Sequence, residues 1–94
     1  MSDLVDPEDI QVLLKKLPEW DLEGKSIVRS VEFDDYMEGI DFVNAVAEIA
    51  EEAGHHPDME VRWCVVNVTL TTHDAGGLTD ADFDVAKKID TLLD

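Results

Sequence analysis

The chain is poor in several residue types, and each shortage excludes something. It holds a single cysteine, Cys64, so no disulfide can form within it and cysteine-based zinc motifs are ruled out. Basic residues are scarce: seven Lys and Arg stand against 23 Asp and Glu, for a formal net charge of −16 and a pI near 4.1. A field of that sign repels phosphate backbones and anionic headgroups, which argues against nucleic-acid and membrane partners. No apolar run approaches the ~20 residues a bilayer requires. The opening "MSDLVDPEDI" has neither a basic nor an apolar leader region, so a soluble, cytoplasmic protein is expected. Internal repeats and low-complexity linkers are also missing, and residues 1–94 are expected to form one domain.

What is present suits a small globule. Hydrophobic residues make up 45% of the 94, enough for a single modest core. The 14 aspartates and five lysines make sense where molar salt screens charge over roughly 3 Å, so a halophilic source is expected.

The pattern along the chain predicts three helices and four strands. In "DPEDIQVLLKKLP", Asp6 can cap, Pro7 suits the first helical position, and Ile10, Leu13, Leu14 and Leu17 fall on one face before Pro18. "WDLEGKSIVRSVEF" reads as two strands with a turn near Glu23-Gly24. A second helix from about Asp34 to Ala53 carries Phe42, Val43, Val46, Ile49, Ala50 and Ala53 at helical spacing and ends at Gly54 and Pro57. Residues 59–73 are rich in β-branched residues, with Val66, Val68 and Leu70 on one face and Asn67, Thr69, Thr71 and His73 on the other. That run is long for one strand, yet Cys64-Val65 is a poor turn pair. Thr79 and Asp82 then open a third helix, whose stripe is Phe83, Ala86, Ile89 and Leu92, with Leu78 placed to staple against Phe83. The expected fold is α+β: a four-stranded antiparallel sheet with helices packed on one face, in the order α-β-β-α-β-β-α.

All three histidines lie in one stretch, His55-His56 in "EEAGHHPDME" and His73 in "TLTTHDAGGLT". A metal is disfavoured, because adjacent residues point apart and no HxH or HxxxH pair occurs. A plain alternative is that they are polar residues at element ends, since a cationic imidazole suits a helix C-terminus and Thr79-x-x-Asp82 is a capping box in itself. Placement favours an acid–base site. Glu51 precedes His55 by four residues on one helix flank, His73 closes the last strand, and Asp82 begins the next helix.

The spacing Glu51, three residues, His55-His56-Pro57, five residues, Trp63, nine residues, His73, eight residues, Asp82 resembles the pterin-4a-carbinolamine dehydratases. The strings "VTLTTHDAGGLT" and "ADFDVAKKID", and the upstream "VEFDDYMEGIDFVNAVAEIAEEAGHHP", extend the likeness to residues 6–92. Two positions depart from it: Met59 replaces a frequent aromatic, and Cys64-Val65 stands where a polar turn pair is usual. The resemblance implies removal of water from a 4a-hydroxytetrahydropterin, with no metal and no separate cofactor. It implies that His55, His56 and His73 handle protons, with His55 and His73 as the acid/base pair. Glu51 would accept from the pterin's amino-pyrimidine edge or hold His55, Asp82 would orient a histidine, and Trp20 and Trp63 could line the pocket. Homodimers or homotetramers are implied too. Animal members also serve as dimerisation cofactors of a homeodomain transcription factor, so a protein-interaction module is one alternative. A pterin-binding helper in molybdenum-cofactor metabolism is another.

Overall fold

The computed structural model describes residues 4–93. Its elements are α1 (Pro7–Lys15), β1 (Asp21–Glu23), β2 (Ser26–Glu32), α2 (Tyr36–Ala53), β3 (Asp58–Arg62), β4 (Val65–Leu70), a 3₁₀ turn (His73–Ala75) and α3 (Asp80–Thr91). This is the expected α+β order, and the four strands form one antiparallel sheet with spatial order β1-β2-β4-β3.

Alternation along the two central strands decides which sheet face is covered. Ile27 and Val31 of β2, and Val66, Val68 and Leu70 of β4, are buried, while Asn67 and Thr69 between them are half-buried on the outer face. Against the covered face pack Phe42, Val46 and Ala50 of α2 and Phe83, Val85, Ala86 and Ile89 of α3. Gly39 faces the sheet directly: a Cβ there would meet Val66 Cγ2 at 3.4 Å and Phe33 Cδ2 at 3.5 Å, ordinary contact distances. Leu17 and Trp20, just past α1, complete the core.

Several local expectations change. Asp6 occupies the N-cap of α1 without a side-chain cap bond; it is Asp35 that caps α2, accepting from the Glu38 N–H at 2.9 Å. Ala53 and Leu92 are exposed, whereas Val85 joins the α3 stripe. Leu92 is the C-cap residue, and Leu93 packs against the core instead. The long β-rich run is indeed broken, by a two-residue turn at Trp63-Cys64 rather than at Cys64-Val65. Cys64 takes φ 65°, the left-handed conformation that a non-glycine residue rarely adopts. Partial burial, then the carboxylates of Asp35, Asp34 and Glu38, push its thiol above the ordinary value. Among the described residues, no helix is long and apolar enough to cross a membrane.

Candidate functional site

His55 owes its place to the way α2 ends. Gly54 adopts φ 67°, and the chain reverses there in a Schellman arrangement. The His55 N–H donates to the Ala50 carbonyl at 3.1 Å, and the Gly54 N–H donates to the Glu51 carbonyl at 3.3 Å. Pro57 then biases His56 toward extended backbone, so the helix does not resume. His55 is thereby folded back toward the start of α3.

Asp82 comes from that start. Thr79 is the N-cap and Asp82 the third helical residue, and the Thr79 N–H donates to Asp82 Oδ2 at 2.9 Å. The Thr72 hydroxyl donates to the same oxygen at 2.7 Å. That uses its only hydrogen, so the Thr79 hydroxyl, 2.8 Å away, donates to Thr72 Oγ1. Asp82 Oδ1 faces His55 Nε2 at 2.5 Å. Asp82 is 0% exposed, a depth that a carboxylate tolerates because both of its oxygens are met. With Asp82 ionised, Nε2 carries the ring hydrogen, and Nδ1 remains to exchange a proton with a ligand.

His55 and Thr72 line a cleft of about 470 Å³ together with Gly54, Asp74, Ala75 and Ala81. That volume lies within the roughly 300–1,000 Å³ of small-molecule sites. The His55 side chain is 16% exposed, reachable from the cleft yet held from behind.

The other candidates are dispersed around this pair. Glu51 does not hold His55; its carboxylate meets His56 Nε2, and both side chains are largely exposed. His73 lies beyond β4 in the 3₁₀ turn, where it is exposed and is not among the cleft's lining residues, although its neighbours Thr72 and Asp74 are. Trp20 is buried in the core, its Nε1–H donating to Asp90 Oδ1 at 2.8 Å, and the cleft does not reach it. Trp63, at the β3–β4 hairpin tip, is 78% exposed and equally absent from the cleft. Among the described residues, no group of three or more His, Cys, Asp or Glu is arranged to hold a metal.

Sequence reasoning missed Thr72 and Asp74. A signal for Thr72 existed: it continues the parity of Val66, Val68 and Leu70, which places a hydroxyl at the end of a buried face. His73 lies past the strand in the 3₁₀ turn, where that alternation no longer holds, and it falls outside the cleft. As an assembly, a buried carboxylate, an oriented imidazole and an open cavity can move a proton to or from a bound molecule.

Comparison with known proteins agrees in extent. Residues 3–92 match the family described as pterin 4 alpha carbinolamine dehydratase. A protein of Acidobacterium capsulatum provisionally named pterin-4-alpha-carbinolamine dehydratase is 52% identical over 87 residues, covering 93% of this chain and 95% of that protein. One of the same provisional name from Natronomonas pharaonis is 47% identical over the full length of both. Among solved structures, a transcriptional coactivator/pterin dehydratase from Brucella melitensis superposes with a TM-score of 0.91 at 29% identity, covering 96% of this chain and 98% of that one. A pterin dehydratase-like protein described as a RuBisCO assembly factor in the alpha-carboxysome superposes at 0.67 with 28% identity, covering 79% and 88%.

Proposed function

The chain belongs to the pterin-4a-carbinolamine dehydratase family, and on that premise we propose that it dehydrates a 4a-hydroxytetrahydropterin to the quinonoid dihydropterin. The reaction protonates the C4a hydroxyl, breaks the C4a–O bond, removes the N5 hydrogen and forms the C4a=N5 double bond. One water leaves, and no electrons are exchanged. The observation that carries the reading is the His55 Nε2–Asp82 Oδ1 contact of 2.5 Å on the wall of an open cleft. Asp82 fixes the ring and supports its charge, while Nδ1 meets the substrate. His55 and His73 divide the two proton transfers, His73 acting from the rim beside Thr72 and Asp74. His56 and Glu51 form an exposed flank of the binding surface. Asp74, on the cleft wall, accepts from the N–H groups of the amino-pyrimidine edge.

Stopped-flow mixing with freshly generated 4a-hydroxytetrahydropterin tests this. His55→Ala should lower the enzymatic rate by about a hundredfold or more, with His73→Ala also reduced, because one positioned acid or base contributes about 10²–10⁴-fold. A wild-type protein that fails to outpace spontaneous water loss overturns the reading. A protein-interaction role is then the successor, favoured by the exposed apolar side chains of Trp63 (78%) and Met37 (61%). The proposal extends to a cytoplasmic homo-oligomer, dimer or tetramer, in which another subunit covers the outer edge of β3.

A further inference from the structure

We propose that Thr72 is a positioning residue for the His55–Asp82 pair, its hydroxyl fixing the orientation of the Asp82 carboxylate against which His55 Nε2 is held. The inference rests on the dehydratase reading only for its kinetic consequence. Asp82 has two oxygens and three donors nearby. The Thr79 N–H at 2.9 Å and the Thr72 hydroxyl at 2.7 Å both fall on Oδ2. Oδ2 is therefore occupied, and His55 Nε2 takes Oδ1 at 2.5 Å.

Thr72 is itself held firmly. Its N–H donates to the Gly77 carbonyl at 2.9 Å, and its own carbonyl accepts from Ala75 at 3.1 Å and Gly76 at 3.0 Å. The Thr72 hydroxyl spends its one proton on the carboxylate, so its oxygen accepts from the Thr79 hydroxyl 2.8 Å away. A hydroxyl so clamped sets the plane of the Asp82 carboxylate, and through it the tilt of the imidazole. Thr72 also lines the cleft, so removing the donor at this position lets solvent or substrate compete for Oδ2.

Valine matches threonine in shape and lacks the hydroxyl; serine restores the hydroxyl and lacks the methyl. With 4a-hydroxytetrahydropterin as substrate, Thr72→Val should lower kcat by about ten- to a hundredfold, the factor that loss of a hydrogen bond to a charged group supplies. KM should change less than about threefold, and Thr72→Ser should recover most of kcat. A second readout needs no turnover. In substrate-free protein, ¹⁵N-labelled His55 should show a single ring tautomer protonated at Nε2, and Thr72→Val should give a mixture or a displaced Nε2–H resonance while Thr72→Ser does not. Thermal melting reports whether each variant folds. Wild-type kcat and an unchanged His55 spectrum in a folded Thr72→Val protein overturn the inference. If wild-type protein shows no dehydration at all, the dehydratase reading falls, and the spectra alone then decide the role of Thr72.

Discussion

At the scale of single residues, Asp82 serves two ends at once. It closes the first turn of α3 by accepting the Thr79 N–H, and it accepts from His55 and Thr72 across the fold. A buried carboxylate with this many donors is costly to delete, because each donor loses its acceptor in a place water reaches poorly. Asp82→Ala should therefore destabilise the protein by about 2–4 kcal/mol, combining a lost cap with stranded donors. Asp82→Asn keeps one acceptor oxygen and should cost less, yet it places an amide N–H₂ against groups that are already donors. Urea unfolding of both variants reads the difference; a loss below about 0.5 kcal/mol for the alanine variant would show that water replaces the carboxylate freely. Trp20 illustrates the contrary case. An aromatic that could have lined a pocket is instead committed to the core, its indole N–H and the Arg29 guanidinium sharing Asp90 Oδ1.

At the scale of elements, the termini position the site more than the element interiors do. The Schellman turn at Gly54 brings His55 to the start of α3 and, by the same reversal, leaves Glu51 beside His56. Helical periodicity predicts the reverse, with Glu51 beside His55, because an i, i+4 rule holds only while the helix continues. Gly54→Ala should cost about 1–2 kcal/mol, since φ 67° is strained for any residue with a Cβ even though open space surrounds it. Thermal denaturation gives that figure. The same variant should lose dehydratase activity beyond what its folded fraction accounts for, because His55 follows the cap. The three helices and the covered faces of β2 and β4 were legible because apolar spacing records them directly. Other features left no comparable trace. The hairpin turn depends on Cys64 holding a left-handed conformation that its side chain gives no reason to expect. The removal of His73 from the strand depends on a 3₁₀ turn and a Thr72–Gly77 bridge, both set by backbone geometry. In the candidate site, the sequence pattern singles out His55 and Asp82 without pairing them, since it sets Glu51 beside His55 and leaves Asp82 to orient an unspecified histidine. The pairing itself follows from the chain reversal at Gly54, and the hydroxyl that completes it could be found only through strand parity.

At the scale of the whole molecule, charge is the term in stability that salt can change, because the formal net charge is −16. Among the described residues, Arg29–Asp90 and Arg62–Glu60 are the only contacts within salt-bridge distance between an acidic side chain and Lys or Arg. Most of the 23 acidic residues therefore face water and one another, as Asp41, Glu48 and Glu52 do along the exposed side of α2. The core contains no compensating disulfide, and a domain of this size has little stability to spare. Self-repulsion between exposed carboxylates acts over a Debye length of about 10 Å at 0.1 M salt and about 3 Å at 1 M, so molar KCl should switch most of it off. If screening recovers about 2 kcal/mol, the melting midpoint should rise by about 8–16 °C between 0.05 M and 2 M KCl. Salt also strengthens apolar burial to some degree, and the control must separate the two. The triple variant Asp41→Asn/Glu48→Gln/Glu52→Gln removes charge from an exposed surface without touching the core. It should melt higher than wild type at 0.05 M KCl and converge with it at 2 M. A parallel rise in both proteins would assign the salt effect to apolar burial, and a flat wild-type response would show that the acidic surface carries no dependence on salt.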